Sequence, residues 1–252
     1  MKISIAIPAH FASTRLPRKL LLDLAGHPLL QHTWKRASAL PGVEEVVILA
    51  DHEEILDTAK KFGATVWMTD VRCCSGTARI ASVAERFRGD FILNVQGDEP
   101  FIDAKLLADM RTHAQDFGGD ILTAAYRIST EADLENPNRV KVVLGQERQA
   151  LYFSRSPIPF LRGVEKKCWL TQHTFWAHIG LYGYTKNFLR KLPDLPRGVL
   201  AEAEKLEQLQ FLEAGHRIHV LEATQPTRGI DTLEDLERAR RYLAEDFAKG
   251  EV

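Results

Sequence analysis

Four short, predominantly apolar runs, at 3–7, 46–50, 64–68 and 91–95, alternate with segments whose apolar residues recur at helical spacing. Such runs suit strands buried on both faces, and parallel strands need crossover connections. The alternation therefore predicts an α/β fold with a mostly parallel central sheet and helices on both faces. Leu30, Trp34 and Ala37 mark a helix over 29–39 that Pro41-Gly42 ends; Ile55, Leu56, Ala59 and Phe62 mark another that stops at Gly63. An alanine-rich helix is expected over 78–87. Asp103 reads as the N-cap of a helix running through Phe117, and a strand returns over 120–128.

Near Asn136 the rhythm changes. Residues 140–144 and 150–153 read as a hairpin, 157–174 as an irregular stretch and 175–184 as a strand. An acidic helix over 202–214 capped by Gly215, a strand over 216–222 and a final charged helix complete the chain. These features suggest a single domain over 1–252, with 137–200 a subregion that covers the ligand crevice and contributes to a dimer.

In open α/β sheets ligands bind at the carboxyl ends of the strands, and the polar residues of this chain gather there. Pro8 is expected to end the first strand and start a loop carrying His10, Ser13, Thr14, Arg15, Arg18 and Lys19. Arginine and lysine supply the fork and the point charge that a polyphosphate needs. Ser75, Gly76 and Thr77 follow the third strand, where they present hydroxyls and N–H groups to a base or phosphate or simply cap a helix. Gln96, Asp98 and Glu99 follow the fourth. Asp98 suits a magnesium ion, which takes one or two protein carboxylates, and equally a turn carboxylate capping the next helix. Gly97 is expected to let the backbone approach a ligand. Asp231 would complete the metal site or cap the last helix. His178, in an apolar strand, reads as a core histidine; Glu204, Lys205, Glu207 and Gln208 read as a solvated helix edge or as contacts to a substrate hydroxyl.

Lysine and arginine number 33 against 34 aspartate and glutamate, and the resulting net charge of -1 excludes a general nucleic-acid binder. Phosphate recognition must be local. No signal-peptide core and no long apolar run is present, so a cytoplasmic protein with no membrane attachment is expected. Cys73, Cys74 and Cys168 have no metal-ligand spacing and read as reduced thiols. No G-x-G-x-x-G follows the first strand, which disfavours a nicotinamide oxidoreductase.

Several segments, in order, resemble one family. They are Ile7-Pro8-Ala9, Ser13-Thr14-Arg15-Leu16-Pro17 with Lys19, Ser75-Gly76-Thr77 with Arg79, and Asn94-Val95-Gln96-Gly97-Asp98-Glu99-Pro100. Asn136-Pro137-Asn138, Val140-Lys141-Val142-Val143, Tyr152-Phe153-Ser154-Arg155, His178 with Gly180, Tyr182-Gly183-Tyr184, Leu206-Glu207-Gln208-Leu209 and Asp231-Thr232 continue the series. Over nearly its whole length the chain resembles the 3-deoxy-D-manno-octulosonate cytidylyltransferases. The resemblance implies a Rossmann-like nucleotidyltransferase fold with a smaller lid or dimerisation subregion, a homodimer, and a role in lipopolysaccharide synthesis. It implies that CTP activates a 3-deoxy-ulosonic acid sugar, KDO or its 8-amino analogue, to a CMP-sugar and pyrophosphate. Arg15, Lys19 and Asp98 would be catalytic, with Mg²⁺ on Asp98 and Asp231. Ala9, His10, Ser13, Arg15, Lys19, Ser75, Gly76, Thr77, Arg79 and Gln96 would bind the nucleotide, and Gln96, Arg155, His178, Tyr182, Glu207 and Gln208 the sugar.

Some positions depart from the family pattern. His10 stands where an arginine is usual, Arg18 replaces a glycine and Leu20 a proline; Ala78, Thr185 and Ala201 replace charged residues. A nucleotide-binding member without turnover, acting as a regulatory or binding protein, is the alternative these changes suggest.

Overall fold

The computed structural model describes residues 1–115 and 118–249. The chain forms two compact units, Met1–Gln115 with Thr227–Val252, and Asp116–Pro226. The first begins with β1 (Ile3–Ala9), followed by short strands β2 (Asp23–Leu24) and β3 (His27–Pro28), then α1 (Leu29–Ser38), β4 (Glu45–Ala50) and α2 (Glu53–Lys61). β5 (Thr65–Met68), α3 (Gly76–Ser82), β6 (Phe91–Asn94) and α4 (Ala104–Gln115) follow. Strand β1 lies between β4 and β6, with β5 beyond β4, and every pairing among them is parallel. All residues of β1 and β6 are buried, so apart from Ser4 and Asn94 their sequences run apolar without alternation.

Pro8 does not end β1 as expected; the strand continues to Ala9, with Pro8 opposite Leu49 of β4. Pairing with β6 finishes at Ala6, whose carbonyl accepts from Val95 N. Two residues on, the donor that proline lacks faces the same side, where the ladder has already stopped.

Local caps set the helix ends. The His52 side chain accepts from Glu54 N at the start of α2, with Glu53 and Glu54 in the first turn and Lys60 and Lys61 in the last, which complements the helix dipole. Asp103 caps α4 as expected, accepting from Lys105 N at 2.8 Å; Phe117, its expected end, lies outside the described residues. Helix α3 departs from the expected span of 78–87. Ser75 Oγ accepts from Ala78 N at 3.0 Å and so starts it early, while Val83 leaves the helical region at φ -126°, and a 3-10 turn covers 84–86.

The second unit contains β7 (Ile121–Arg127), α5 (Glu131–Glu135), β8 (Lys141–Leu144), β9 (Ala150–Ser154), α6 (Trp169–Gln172) and β10 (Trp176–Thr185). After them come α7 (Lys186–Lys191), α8 (Val199–Glu204), α9 (Glu207–Glu213) and β11 (Ile218–Ala223). Strand β7 is parallel to β11 and antiparallel to β10, and β8 with β9 forms the expected hairpin. Sheet pairing across the chain is thus mixed. The single helix expected over 202–214 is two, because Lys205 adopts φ 53° and breaks the i→i-4 ladder. The carbonyls of Glu204 and Lys205 then accept from Arg155. The core of this unit centres on Tyr184, Phe188 and Phe211, with ring centroids 5.2 Å apart for the two phenylalanines.

The last helix, α10 (Leu233–Lys249), belongs to the first unit. Thr232 caps it: its hydroxyl accepts from Asp235 N at 3.2 Å while Asp235 accepts from Thr232 N at 2.9 Å, a reciprocal capping box. Among the described residues no helix is long and apolar enough to cross a membrane. Truncating the buried ring in Phe211→Ala leaves a cavity and is expected to cost about 3–5 kcal/mol, measured as a fall in the urea midpoint.

Candidate active site

Within the first unit, a cleft of about 250 Å³ opens where β1 and β6 end, lined by His10, Ser13, Arg15, Lys19, Gln96, Asp98 and Asp231 among others. Lys19 organises it. Its side chain is only 10% exposed, and its ammonium donates to Asp98 Oδ2 at 2.5 Å and to Asp231 Oδ1 at 2.9 Å. Arg15 reaches the same Asp231 oxygen at 3.0 Å. Burial alone would lower the Lys19 pKa, but the attraction and hydrogen bonds of Asp98 and Asp231 outweigh it and raise the pKa above the usual lysine value. The backbone adds a brace, since Ile230 N donates to Asp98 O at 3.0 Å.

Both carboxylates had an alternative reading as helix caps. Asp103 and Thr232 take those roles, and the side chains of Asp98 and Asp231 point at Lys19 instead.

Glu99 carries a third acidic group beside them. Burial first, then the charges of Asp98 and Asp231, push its carboxyl up to about 8. Its Oε2 is buried without a hydrogen-bond partner, and Thr227 reaches Oε1 only at 3.5 Å. A neutral carboxyl fits such a pocket; an anion does not.

Gly97 lines the cleft, and its lack of a side chain also serves packing. A Cβ there would lie 3.0 Å from Pro8 O and 3.3 Å from the Leu20 methyls, so the glycine lets the basic loop close over the end of β6. Leu20, one of the departures, fills that space. Arg18 adopts φ 56°, the left-handed conformation that glycine takes most easily, and pairs with Glu54 away from the cleft. The backbone path survives the loss of glycine, while the arginine adds no cation to the cleft wall.

Ala9, Ser75, Gly76, Thr77 and Arg79 lie outside that lining. Gly76 abuts it, its would-be Cβ 3.2 Å from Gln96 Nε2. The guanidinium of Arg79, 3% exposed, donates to Asp51 Oδ2 at 3.0 Å and Thr69 Oγ1 at 2.7 Å. Asp51 was missed by the sequence reading although it follows β4 as Asp98 follows β6; the strand-end position was the signal.

The remaining candidates belong to the second unit. His178 is partly buried, lies 2.9 Å from Thr123 Oγ1, and desolvation pushes it down to about 3, so its imidazole is neutral. Burial likewise raises the Tyr182 phenol. Arg155 donates to the carbonyls of Glu204, Pro137 and Lys205, with no carboxylate on its guanidinium among the described residues. Gln208 is 5% exposed, which removes it from the solvated edge. Thr185 caps α7, accepting from Phe188 N at 3.1 Å.

A parallel βα sheet whose strand-end loops gather arginine, lysine and two aspartates is the architecture of a nucleotidyltransferase. The cytidylyltransferase family profile matches residues 4–218. The chain belongs to the 3-deoxy-manno-octulosonate cytidylyltransferase family. It is 42% identical over 251 residues to that enzyme of Actinobacillus pleuropneumoniae serotype 7, covering 97% of this chain and 100% of that protein. It is 42% identical over 242 residues to the Porphyromonas gingivalis enzyme, covering 94% of each. A solved structure of CMP:2-keto-3-deoxy-manno-octonic acid synthetase complexed with CTP superposes at TM-score 0.91 and 35% identity, covering 98% of this chain and 100% of that one.

Removing the buried acid in Glu99→Gln tests the electrostatics. An unfolded glutamate ionises near 4.5, whereas this one keeps its proton to about 8, so its contribution to stability falls as pH rises through that window. In metal-free protein, Glu99→Gln is therefore expected to gain stability relative to wild type between those pH values, read as a growing difference in melting temperature.

Proposed function

We propose that this enzyme transfers the cytidylyl group of CTP to a 3-deoxy-ulosonic acid, KDO or its 8-amino analogue, releasing pyrophosphate for lipopolysaccharide synthesis in the cytoplasm. The meeting of Lys19, Arg15, Asp98 and Asp231 in one strand-end cleft carries the reading. The sugar's anomeric C2 hydroxyl attacks the α-phosphorus, and the bond to the bridging oxygen of pyrophosphate breaks. Catalysis of this kind rests on positioning and charge neutralisation. Arg15 and Lys19 hold the triphosphate and stabilise the negative charge that gathers on the leaving group, with His10, Ser13 and Gln96 bordering it. Ala9, the Ser75-Gly76-Thr77 turn and Arg79 shape the nucleotide side from behind.

The acid set suits a divalent cation. Among the described residues no cluster of three or more His, Cys, Asp or Glu side chains forms a cage, and two carboxylates are the complement magnesium ordinarily takes. Lys19, a cation, already sits between those two carboxylates, and Glu99 holds its proton against their excess negative charge. Mg²⁺ on Asp98 and Asp231 would supply further neutralisation of the triphosphate.

For the sugar acid, Arg155 supplies a guanidinium unpaired with any acid among the described residues, suited to a carboxylate. Tyr182, His178, Glu207 and Gln208 complete the sugar-binding set in this reading, with 137–200 as the covering segment and part of a homodimer contact.

The test is pyrophosphate release from CTP and Mg²⁺ with a panel of both sugar acids. Wild type is expected to turn over at least one; no release with any would favour a nucleotide-binding protein without turnover. Asp98→Ala is expected to lower kcat by about two orders of magnitude, and near-normal rates in that variant would contradict the metal assignment.

A further inference from the structure

Asp51 stands at the carboxyl end of β4 and has no part in the reaction described above. Its side chain is 1% exposed, yet it binds three groups. Oδ1 accepts from Phe11 N at 2.9 Å, Oδ2 accepts from Arg79 at 3.0 Å, and Oδ2 also meets His10 Nδ1. One buried carboxylate thereby joins Arg79 of α3 to the loop that follows β1. Arg79 is pinned in turn by Thr69 Oγ1 and the Asp70 carbonyl, so Asp51 has little room to turn.

His10 is different. Half of its side chain is exposed, and it lines the cleft with Arg15 and Lys19. An aspartate that already accepts from Arg79 can only accept from the imidazole, so Nδ1 carries a proton. Nε2 is then the nitrogen left for a ligand, and it has no partner among the described residues.

We propose that Asp51 is a positioning residue for triphosphate recognition: its contact with Nδ1 fixes the ring plane of His10 so that, with both nitrogens protonated, Nε2–H donates to a phosphate oxygen. With Asp51 on one side and phosphate on the other, the imidazole donates from both nitrogens and carries a positive charge. This rests on the reading of the cleft as the CTP site. The charged and titratable groups around His10 are Asp51 with Arg79 behind it, Arg15, Lys19, Asp98 and Asp231 across the cleft, and His52 and Arg18 against the Phe11 ring.

The experiment measures kcat and KM for CTP in wild type, Asp51→Asn, His10→Gln and His10→Arg. CTP binding is followed in parallel by the ring ¹⁵N resonances of His10, assigned with the glutamine variant. Asp51→Asn and His10→Gln are expected to raise KM about tenfold, the loss of one hydrogen bond to a charged group, with a smaller change in kcat. His10→Arg, which keeps a charged donor at this position, is expected to hold KM close to the wild-type value. The Nε2 resonance is expected to shift when CTP is added.

Asp51→Asn also deprives Arg79 of its partner and can unfold the chain, so the His10 variants and the wild-type resonance decide by themselves. Unchanged KM in His10→Gln, or an Nε2 resonance indifferent to CTP in a protein that binds CTP, overturns this proposal alone. A wild type that binds no CTP overturns the reading of the cleft and this proposal with it.

Discussion

The first unit depends on one nearly buried ammonium. Lys19 draws together a loop from the start of the chain, Asp98 after the fourth long strand and Asp231 near the end. A charge taken from water must be paired, and the nearly buried Lys19 is tolerable because Asp98 and Asp231 are present. The Ile230–Asp98 backbone bond and the closure of Leu20 over Gly97 keep the partners in register. Such a cluster contributes little to net stability compared with an apolar core, but it holds charges ready for a phosphate ligand.

Its electrostatic consequence is visible at Glu99. Three acids lie close together with two cations, and the most buried acid keeps its proton. The cleft therefore has an appetite for positive charge alongside a basic loop suited to phosphate. A site that binds a polyphosphate together with a divalent cation needs both features at once. The fold supplies them from different strand ends: cations from the loop after β1, acids from β6 and from the segment before α10.

The basic loop shows how a chain absorbs departures from its family pattern. Arg18 takes the left-handed conformation that a glycine would take, at about 1–2 kcal/mol for an L-residue, and directs its charge to Glu54. Arg15 and Lys19 turn the other way, to the acids of the cleft. The three cations lie within five residues of one another in sequence and are divided in space. His10 turns to a partner 41 residues away, Asp51, which the rigid Arg79 holds in place.

The sheet was legible because strands buried on both faces run predominantly apolar without alternation, as β1, β4 and β6 do but for Ser4, Glu45 and Asn94. The cleft was legible because parallel strands place their ends on one side, so Lys19, Gln96 and Asp98 had to converge. Pro8 misled because its tolerance depends on where the neighbouring ladder stops, and Lys205 because a left-handed residue can split a pattern that is helical throughout. The proton on Glu99 and the network from His10 through Asp51 to Arg79 were decided by tertiary structure alone. Each depends on burial and on partners distant in sequence. Periodicity determined which segments become strands and helices, because it records the faces that must leave water; the state and aim of the charged groups were set only when folding fixed what surrounds them.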